Sequence, residues 1–261
     1  MVSSLPPVGV QLREWRQRRH LSQLELACEA NVSTRHLSFL ETGRSQPSRD
    51  MVLHLAELLG IPLRQRNVLL MAAGFAPFFP ERPLDDPALA AARRAVDLVL
   101  TGHEPYPAVA VDRHWTLVTA NNAARRLLGG VPAAQLVPPI NVLRVSLHPE
   151  GLAPRIINLV EWRSHILARL RSQIDATADP ILIELSKELA ALPAFANASA
   201  GEPADEPDQQ NAPHHDYGGV VVPMRLALDG GVVLSLFSTT TIFGTPVDVT
   251  LSELAVESFF P

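Results

Sequence analysis

Apolar residues recur at a helical period through the first third of this chain and change period afterwards. Between Leu21 and Arg49, Leu24, Leu26 and Ala27 supply one short apolar face, and Leu37 and Leu40 supply a second beside Val32. Ser22 with Glu25 three residues on predicts a capping box at the start of the first helix. Ser33 is placed to cap the second, Asn31 tolerates the positive φ of a tight turn, and Gly43 suits the helix end. Two short helices across a tight turn make a helix-turn-helix, with a bare helical hairpin as the alternative. The helical period continues through Val52, Leu55, Ala56 and Leu59 to Gly60, then from Arg64 to Ala73 and Gly74. About five helices are predicted within residues 9–74.

Residues 75–87, FAPFFPERPLDDP, are rich in proline and read as a semi-rigid linker, with Phe75, Phe78 and Phe79 packed on a domain surface. A helix is predicted over 87–101. Val109 and Val111, then Trp115, Leu117 and Val118, with Asp112–His114 between them, predict a β-hairpin. Asn121 caps a short helix bearing Ala124, Leu127 and Leu128. This opening resembles that of a PAS-type domain. Residues 151–194 read as helical, and 196–216 as an acidic loop rich in proline and alanine. Runs 219–228 and 232–242 flank Asp229-Gly230-Gly231, a second hairpin. The last stretch, Thr250 to Phe260, reads as a helix with Leu251, Leu254, Ala255 and Phe259 on one side. The fold class is therefore α+β: an all-α domain at 9–74, a linker at 75–87 and a PAS-like α/β sensor domain at 88–261.

Charge separates the two parts. Residues 1–80 hold nine Arg and six Asp or Glu, a balance of +3, against −5 for the whole chain, which leaves −8 for the remainder. Phosphate repels an acidic surface, so DNA binding is assigned to the N-terminal part alone. The single cysteine, Cys28, forms no internal disulfide. No leader pattern and no apolar run of membrane-spanning length are visible, so a cytoplasmic protein without membrane contact is expected.

Enzyme motifs are missing: there is no G-x-S-x-G elbow, no Walker loop and no metal-spaced His/Cys set. The only lysine, Lys187, adjoins Ser186 in a predicted helix and does not supply a protease dyad. Cys28 lies in the wrong domain for a flavin photosensor. His148 and His165 are the residues that would serve haem, a minor reading, and His214–His215 read as solvated loop. No catalytic residue, metal site or cofactor is predicted.

The stretch Leu21–Arg49 resembles the phage-repressor-like (XRE) helix-turn-helix family. Helix geometry places Arg35, Ser38 and Phe39 opposite the buried Leu37 and Leu40, with Ser33 and Thr34 at the exposed N-terminal end. Such a helix puts its N-terminal residues against base edges, where Arg35 suits guanine and Phe39 a thymine methyl. Phe39 also suits a partly buried core position. Arg44 and Ser45 follow the helix and are placed for phosphate. The resemblance implies that Gln23 contacts phosphate and that Arg16 and Glu41 form a structural salt bridge.

Over nearly all of 10–261 the chain is similar to the MmyB-like transcriptional regulators. The segments carrying this are RHLSFLETGRSQPSR, LLMAAGFAP, EPYPAVAVDRHWTLVTAN, PPINVLRVSLHPEGLAPRIINLVEWRSHIL, LSLFST and FGTPVDVTLSELAVESFFP. The resemblance implies a sequence-specific regulator on a double-stranded DNA operator, with a small apolar or fatty-acid-like effector. Asn141, Arg144, His148, Arg155 and Trp162 concentrate polar groups among apolar ones, and Arg144 and His148 are the headgroup candidates. Phe237 and Phe243 are expected to line a tail. The same residues also suit bracing of the fold. A twofold operator calls for a homodimer. The alternative function is a DNA-tethered interaction module with a solid core, and an enclosed apolar cavity separates the two.

Overall fold

The computed structural model describes residues 5–193 and 222–261. The loop 196–216, with His214–His215, and the start of the 219–228 run lie outside the described residues. Two compact units are present. One holds the chain up to Asp86 with Asp175–Thr177 and Gly244–Ser252; the other holds Pro87–Ile174, the described part of Ala178–Phe243, and Glu253–Pro261.

The first unit carries five helices before Asp86: α1 (Val8–Arg18), α2 (Gln23–Glu29), α3 (Thr34–Glu41), α4 (Arg49–Leu58) and α5 (Leu63–Ala72). Local chemistry sets their starts. The Ser22 hydroxyl accepts from the Glu25 N–H while the Glu25 carboxylate accepts from the Ser22 N–H, a complete capping box. Ser33 and Ser48 cap α3 and α4 in the same way through one bond each. Asn31 takes φ 53° in the α2–α3 turn and Gly43 takes φ 72° after α3. Leu12, Leu26, Leu37, Leu40, Leu55 and Leu69 fill the core. Leu24 departs from the predicted apolar face: it is 62% exposed, because a helix turns it well away from Leu26.

Gly9 allows α1 to lie directly on the end of α3. A Cβ at this position would collide with the Leu40 carbonyl oxygen. The proline-rich segment after α5 is strapped down by one side chain. The Asn67 Oδ1 accepts from the N–H groups of Phe78 and Phe79, at 2.9 and 3.0 Å, and its Nδ2 donates to the Phe79 carbonyl at 2.7 Å. Near the end of the same unit, α11 (Val249–Ser252; α6–α10 belong to the second unit) begins where the Val249 N–H donates to the Pro80 carbonyl. Arg82 pairs with the buried Asp248 there at 3.1 Å.

In the second unit, α6 (Ala90–Gly102) leads into β1 (Ala108–Val111) and β2 (Leu117–Ala120). The turn between these strands is held by the Asp112 Oδ1, which accepts from His114 and Thr116. Trp115 sits in this turn at φ 66° rather than in the strand. Asn121 caps α7 (Asn122–Leu128) and also accepts from the Ala108 N–H, tying the helix to β1. Next come α8 (Val142–Leu147), α9 (Leu159–Thr177) and α10 (Pro180–Ala191), and then the hairpin of β3 (Met224–Ala227) and β4 (Val233–Ile242). Gly230 and Gly231 take φ near 80° in its turn, as the glycine pair predicts.

The predicted C-terminal helix over Thr250–Phe260 is corrected. Only Val249–Ser252 is helical, and Ala255–Phe260 is β5. β5 fills the centre of an antiparallel sheet of order β2-β1-β5-β4-β3. Its backbone is paired on both edges, Ala108 opposite Ser258 and Phe237 opposite Phe260, and this long-range pairing overrides the local period. A core of Val109, Val111, Leu143, Trp162, Ile166, Leu170, Leu226 and Leu236 joins the sheet to α8, α9 and neighbouring elements. This is the expected α+β class with a PAS-like sheet-and-helix domain.

Candidate functional site

α3 presents Thr34, Arg35, Ser38 and Phe39 away from the buried Leu37 and Leu40. Arg35 is exposed and lies over the Phe39 ring at 5.3 Å; Arg44 lies over the same ring at 5.8 Å. Half-buried Phe39 is thus a shared platform for two cations. The backbone N–H groups of Arg44 and Ser45 both donate to the Phe39 carbonyl, which fixes the chain leaving the helix. Ser33 uses its hydroxyl as the α3 cap. Gln23 donates its side-chain amide to Glu41 at 2.8 Å. Glu41 is held by Arg16 through two bonds of 2.6 and 2.9 Å, and this hydrogen bonding raises the Arg16 pKa above the ordinary arginine value.

The second unit holds a partly open cavity of about 90 Å³ between the sheet and its helices. Its wall is mainly Val109, Trp115, Leu127, Ile140, Leu143, Val145, Leu152, Trp162, Ile166, Met224 and Phe259; Ser146, Arg169, Ser238 and Glu257 are its polar members. α9 supplies Trp162, Ile166 and Arg169 from one face, at the i, i+4, i+7 spacing. The indole N–H of Trp162 donates to the Ser146 hydroxyl at 3.0 Å. Gly151 permits the tight chain path beside α8, since a Cβ there would meet the Val145 carbonyl oxygen.

Arg169 and Glu257 form the charged end of the wall. The two terminal nitrogens of Arg169 donate to the two Glu257 oxygens at 3.0 and 2.8 Å. Thr240 adds a 2.6 Å hydrogen bond to the Glu257 Oε1, and the guanidinium lies 4.9 Å over the Trp115 ring. His165 stacks on Trp162 at 5.4 Å. Burial, helped by the Arg169 charge and opposed by Glu257, holds its pKa below the ordinary histidine value.

Of the seven residues expected around a ligand, Trp162 lines the cavity and the other six do not. Asn141 caps α8, accepting from Leu143 and Arg144, and donates to the His114 carbonyl. Arg144, expected at a headgroup, lies on the surface in a two-bond pair with Glu188 at 2.7 Å. α8 is only six residues long, and its buried face is taken by Leu143, Val145, Ser146 and Leu147. His148 follows that helix, its Nδ1 accepting from the Glu150 N–H. Arg155 donates to the Leu127 carbonyl at 3.4 Å. Phe237 stacks on Phe260 at 5.4 Å, and Phe243 lies just past the end of β4.

Sequence reasoning missed Arg169, Ser238 and Glu257. A signal for Arg169 was present: a cation on the Trp162–Ile166 stripe. A signal for Glu257 was the lone acid inside the apolar run Leu254–Phe260, hidden by the helical reading. Among the described residues no cluster of His, Cys, Asp or Glu has the arrangement of a metal site. No helix among them is long and apolar enough to cross a membrane.

Residues 7–69 match the helix-turn-helix domain family, and residues 92–261 match the MmyB-like transcription regulator ligand binding domain. No curated protein matches the chain. A solved structure of an RNA-binding light-oxygen-voltage receptor aligns at 14% identity and TM-score 0.28, over 95% of this chain and 57% of that one. The chain thus spans little more than half of that receptor's length. With a helix-turn-helix ahead of a ligand-binding domain matched over most of the chain, this protein belongs to the MmyB-like transcription regulators.

Proposed function

We propose that the chain is a ligand-responsive regulator that reads a double-stranded DNA operator as a homodimer in the cytoplasm. The observation that carries this reading is a partly open, mainly apolar pocket in a unit joined to a capped helix-turn-helix. A solid core would have favoured a DNA-tethered interaction module. α3 enters the major groove, with Arg35 and Phe39 at base edges. Thr34, Ser38, Arg44 and Ser45 position it, and Gln23 and Ser33 support the helix ends. The effector is a small apolar molecule, of which a fatty acid is the family's suggestion. It acts through different affinity for two states of the protein, since equal affinity shifts nothing.

Selection of duplexes from a random library by the full chain tests the DNA half. Enrichment of a site with twofold symmetry, half-sites about 34 Å apart, is expected. Enrichment of asymmetric sites bound by a monomer would overturn the dimer, and absence of any enrichment would overturn operator reading. Mass analysis of an organic extract of the purified protein then tests for a retained effector.

A further inference from the structure

Ser146 brings a buried hydroxyl, 8% exposed, to the pocket wall. A hydroxyl carries one donor and two acceptor positions. The indole N–H of Trp162 fills one acceptor position at 3.0 Å. Trp162 is itself buried and stacked on His165, so this bond fixes how the hydroxyl is held. Among the described residues no group takes the Ser146 proton in return. The other polar members of the wall stand differently. Arg169 and Ser238 are partly exposed, so water serves their spare hydrogen-bonding groups. Glu257 already accepts from both terminal nitrogens of Arg169 and from Thr240. An apolar ligand that fills the pocket displaces water from Ser146. It must then accept the Ser146 proton or leave a buried donor unpaired, and an unpaired donor costs more than an ordinary bond contributes. A ligand hydroxyl would bring a further donor into a wall whose acid is already served, whereas a carbonyl oxygen brings acceptor positions alone.

We propose that the pocket takes apolar molecules that carry a carbonyl-type oxygen, and that the Ser146 hydroxyl is the donor that reads this oxygen. This rests on the sensor reading above and names the chemistry that its effector presents. Trp162 is a positioning residue: its N–H occupies the Ser146 oxygen and leaves the Ser146 proton for the ligand. A carboxylate and a neutral ketone, ester or lactone meet the requirement alike, and a plain hydrocarbon does not.

The experiment titrates the full chain into 2-octanone, 1-octene and octanoate by calorimetry. The ketone and the alkene share a chain length and differ in the oxygen. The wild type is expected to bind 2-octanone about tenfold more tightly than 1-octene, the scale set by leaving a buried donor unpaired. Ser146→Ala should bring 2-octanone down to the level of 1-octene and leave 1-octene no weaker, a split that a merely structural role for Ser146 would not produce. Ser146→Thr retains the hydroxyl and should retain the preference. Octanoate separates the two sources of such an oxygen. Binding that falls in Ser146→Ala assigns a carboxylate, and no octanoate binding beside a bound ketone assigns a neutral carbonyl compound. Equal binding of 2-octanone and 1-octene by the wild type, or a preference that survives in Ser146→Ala, overturns the Ser146 assignment while leaving a sensor. No binding by any of the three, with a clean organic extract, overturns the sensor reading as well. Ser146→Ala strands the Trp162 N–H. Should it fail to fold, Ser146→Ala combined with Trp162→Phe removes both partners, and the ratio of ketone to alkene is read there.

Discussion

Arg16 in α1 and Glu41 at the end of α3 grip each other through two parallel hydrogen bonds, with only 9% and 1% of their side chains exposed. Gln23 of α2 donates to the same carboxylate, so one acid joins three helices. Removing one member strands the other. Glu41→Ala is expected to lower unfolding free energy by about 3–5 kcal/mol, read by urea denaturation. Replacing both residues together, Arg16→Met with Glu41→Leu, should recover most of that loss. A single variant as stable as wild type would show that water reaches the pair.

Arg35→Ala should reduce affinity for the selected operator by about 1–3 kcal/mol, the range of one bidentate base contact, and leave ligand binding unchanged. Phe39→Ala removes the ring beneath both Arg35 and Arg44. Its loss of operator affinity should match or exceed that of Arg35→Ala, with fluorescence anisotropy as the readout. Wild-type affinity in Phe39→Ala would mean that neither cation depends on the ring.

Arg144→Ala is expected to do little. Its pair with Glu188 is about half exposed on both sides, and such pairs contribute roughly 0–1 kcal/mol. Ligand affinity should also be unchanged, since Arg144 lies outside the cavity wall. A marked loss of affinity for any cavity ligand would return Arg144 to the site.

Asp179 offers a test in acid. Burial pushes its pKa up, but the His114 hydrogen bond, the Ile181 N–H and the Arg113 charge outweigh it and hold the carboxyl below its usual value. A depressed carboxyl stabilises the fold above its unfolded pKa, about 3.9, and that contribution disappears as pH falls through the folded value. Asp179→Asn retains a capping oxygen for α10 but lacks the charge. The stability gap between the two proteins should therefore close as pH falls below about 4. A gap unchanged at pH 2.5 would show that the charge contributes nothing.

Gly9→Ala places a methyl group against the Leu40 carbonyl, a backbone atom with little room to yield. A loss of about 1–3 kcal/mol is expected from such overpacking. Thermal denaturation checks it, and an unchanged melting temperature would mean that α1 slides freely.

The five helices before Asp86 were legible because their signals are local: serine caps, Asn31 in the turn, glycines at the ends. Both hairpins were legible for the same reason, through Asp112 and Gly230-Gly231. β5 was not. Leu251, Leu254, Ala255 and Phe259 fit a helix equally well, and what decides is a partner far away, such as Ala108 opposite Ser258. The cavity shared that fate. Glu257 reaches Arg169 only once β5 lies in the sheet, so the Arg144 and His148 cluster, dense in polar residues along the chain, drew attention instead.

The central place of β5 makes closure of the sheet depend on one segment. β1 and β4 flank a slot that only Ala255–Phe260 fills. Without those residues in place, β1–β2 and β3–β4 are two separate strand pairs with their inner edges open. Open edges recruit other strands. The sheet therefore closes only when Ala255–Phe260 pairs with both β1 and β4, and this one segment caps two edges at once.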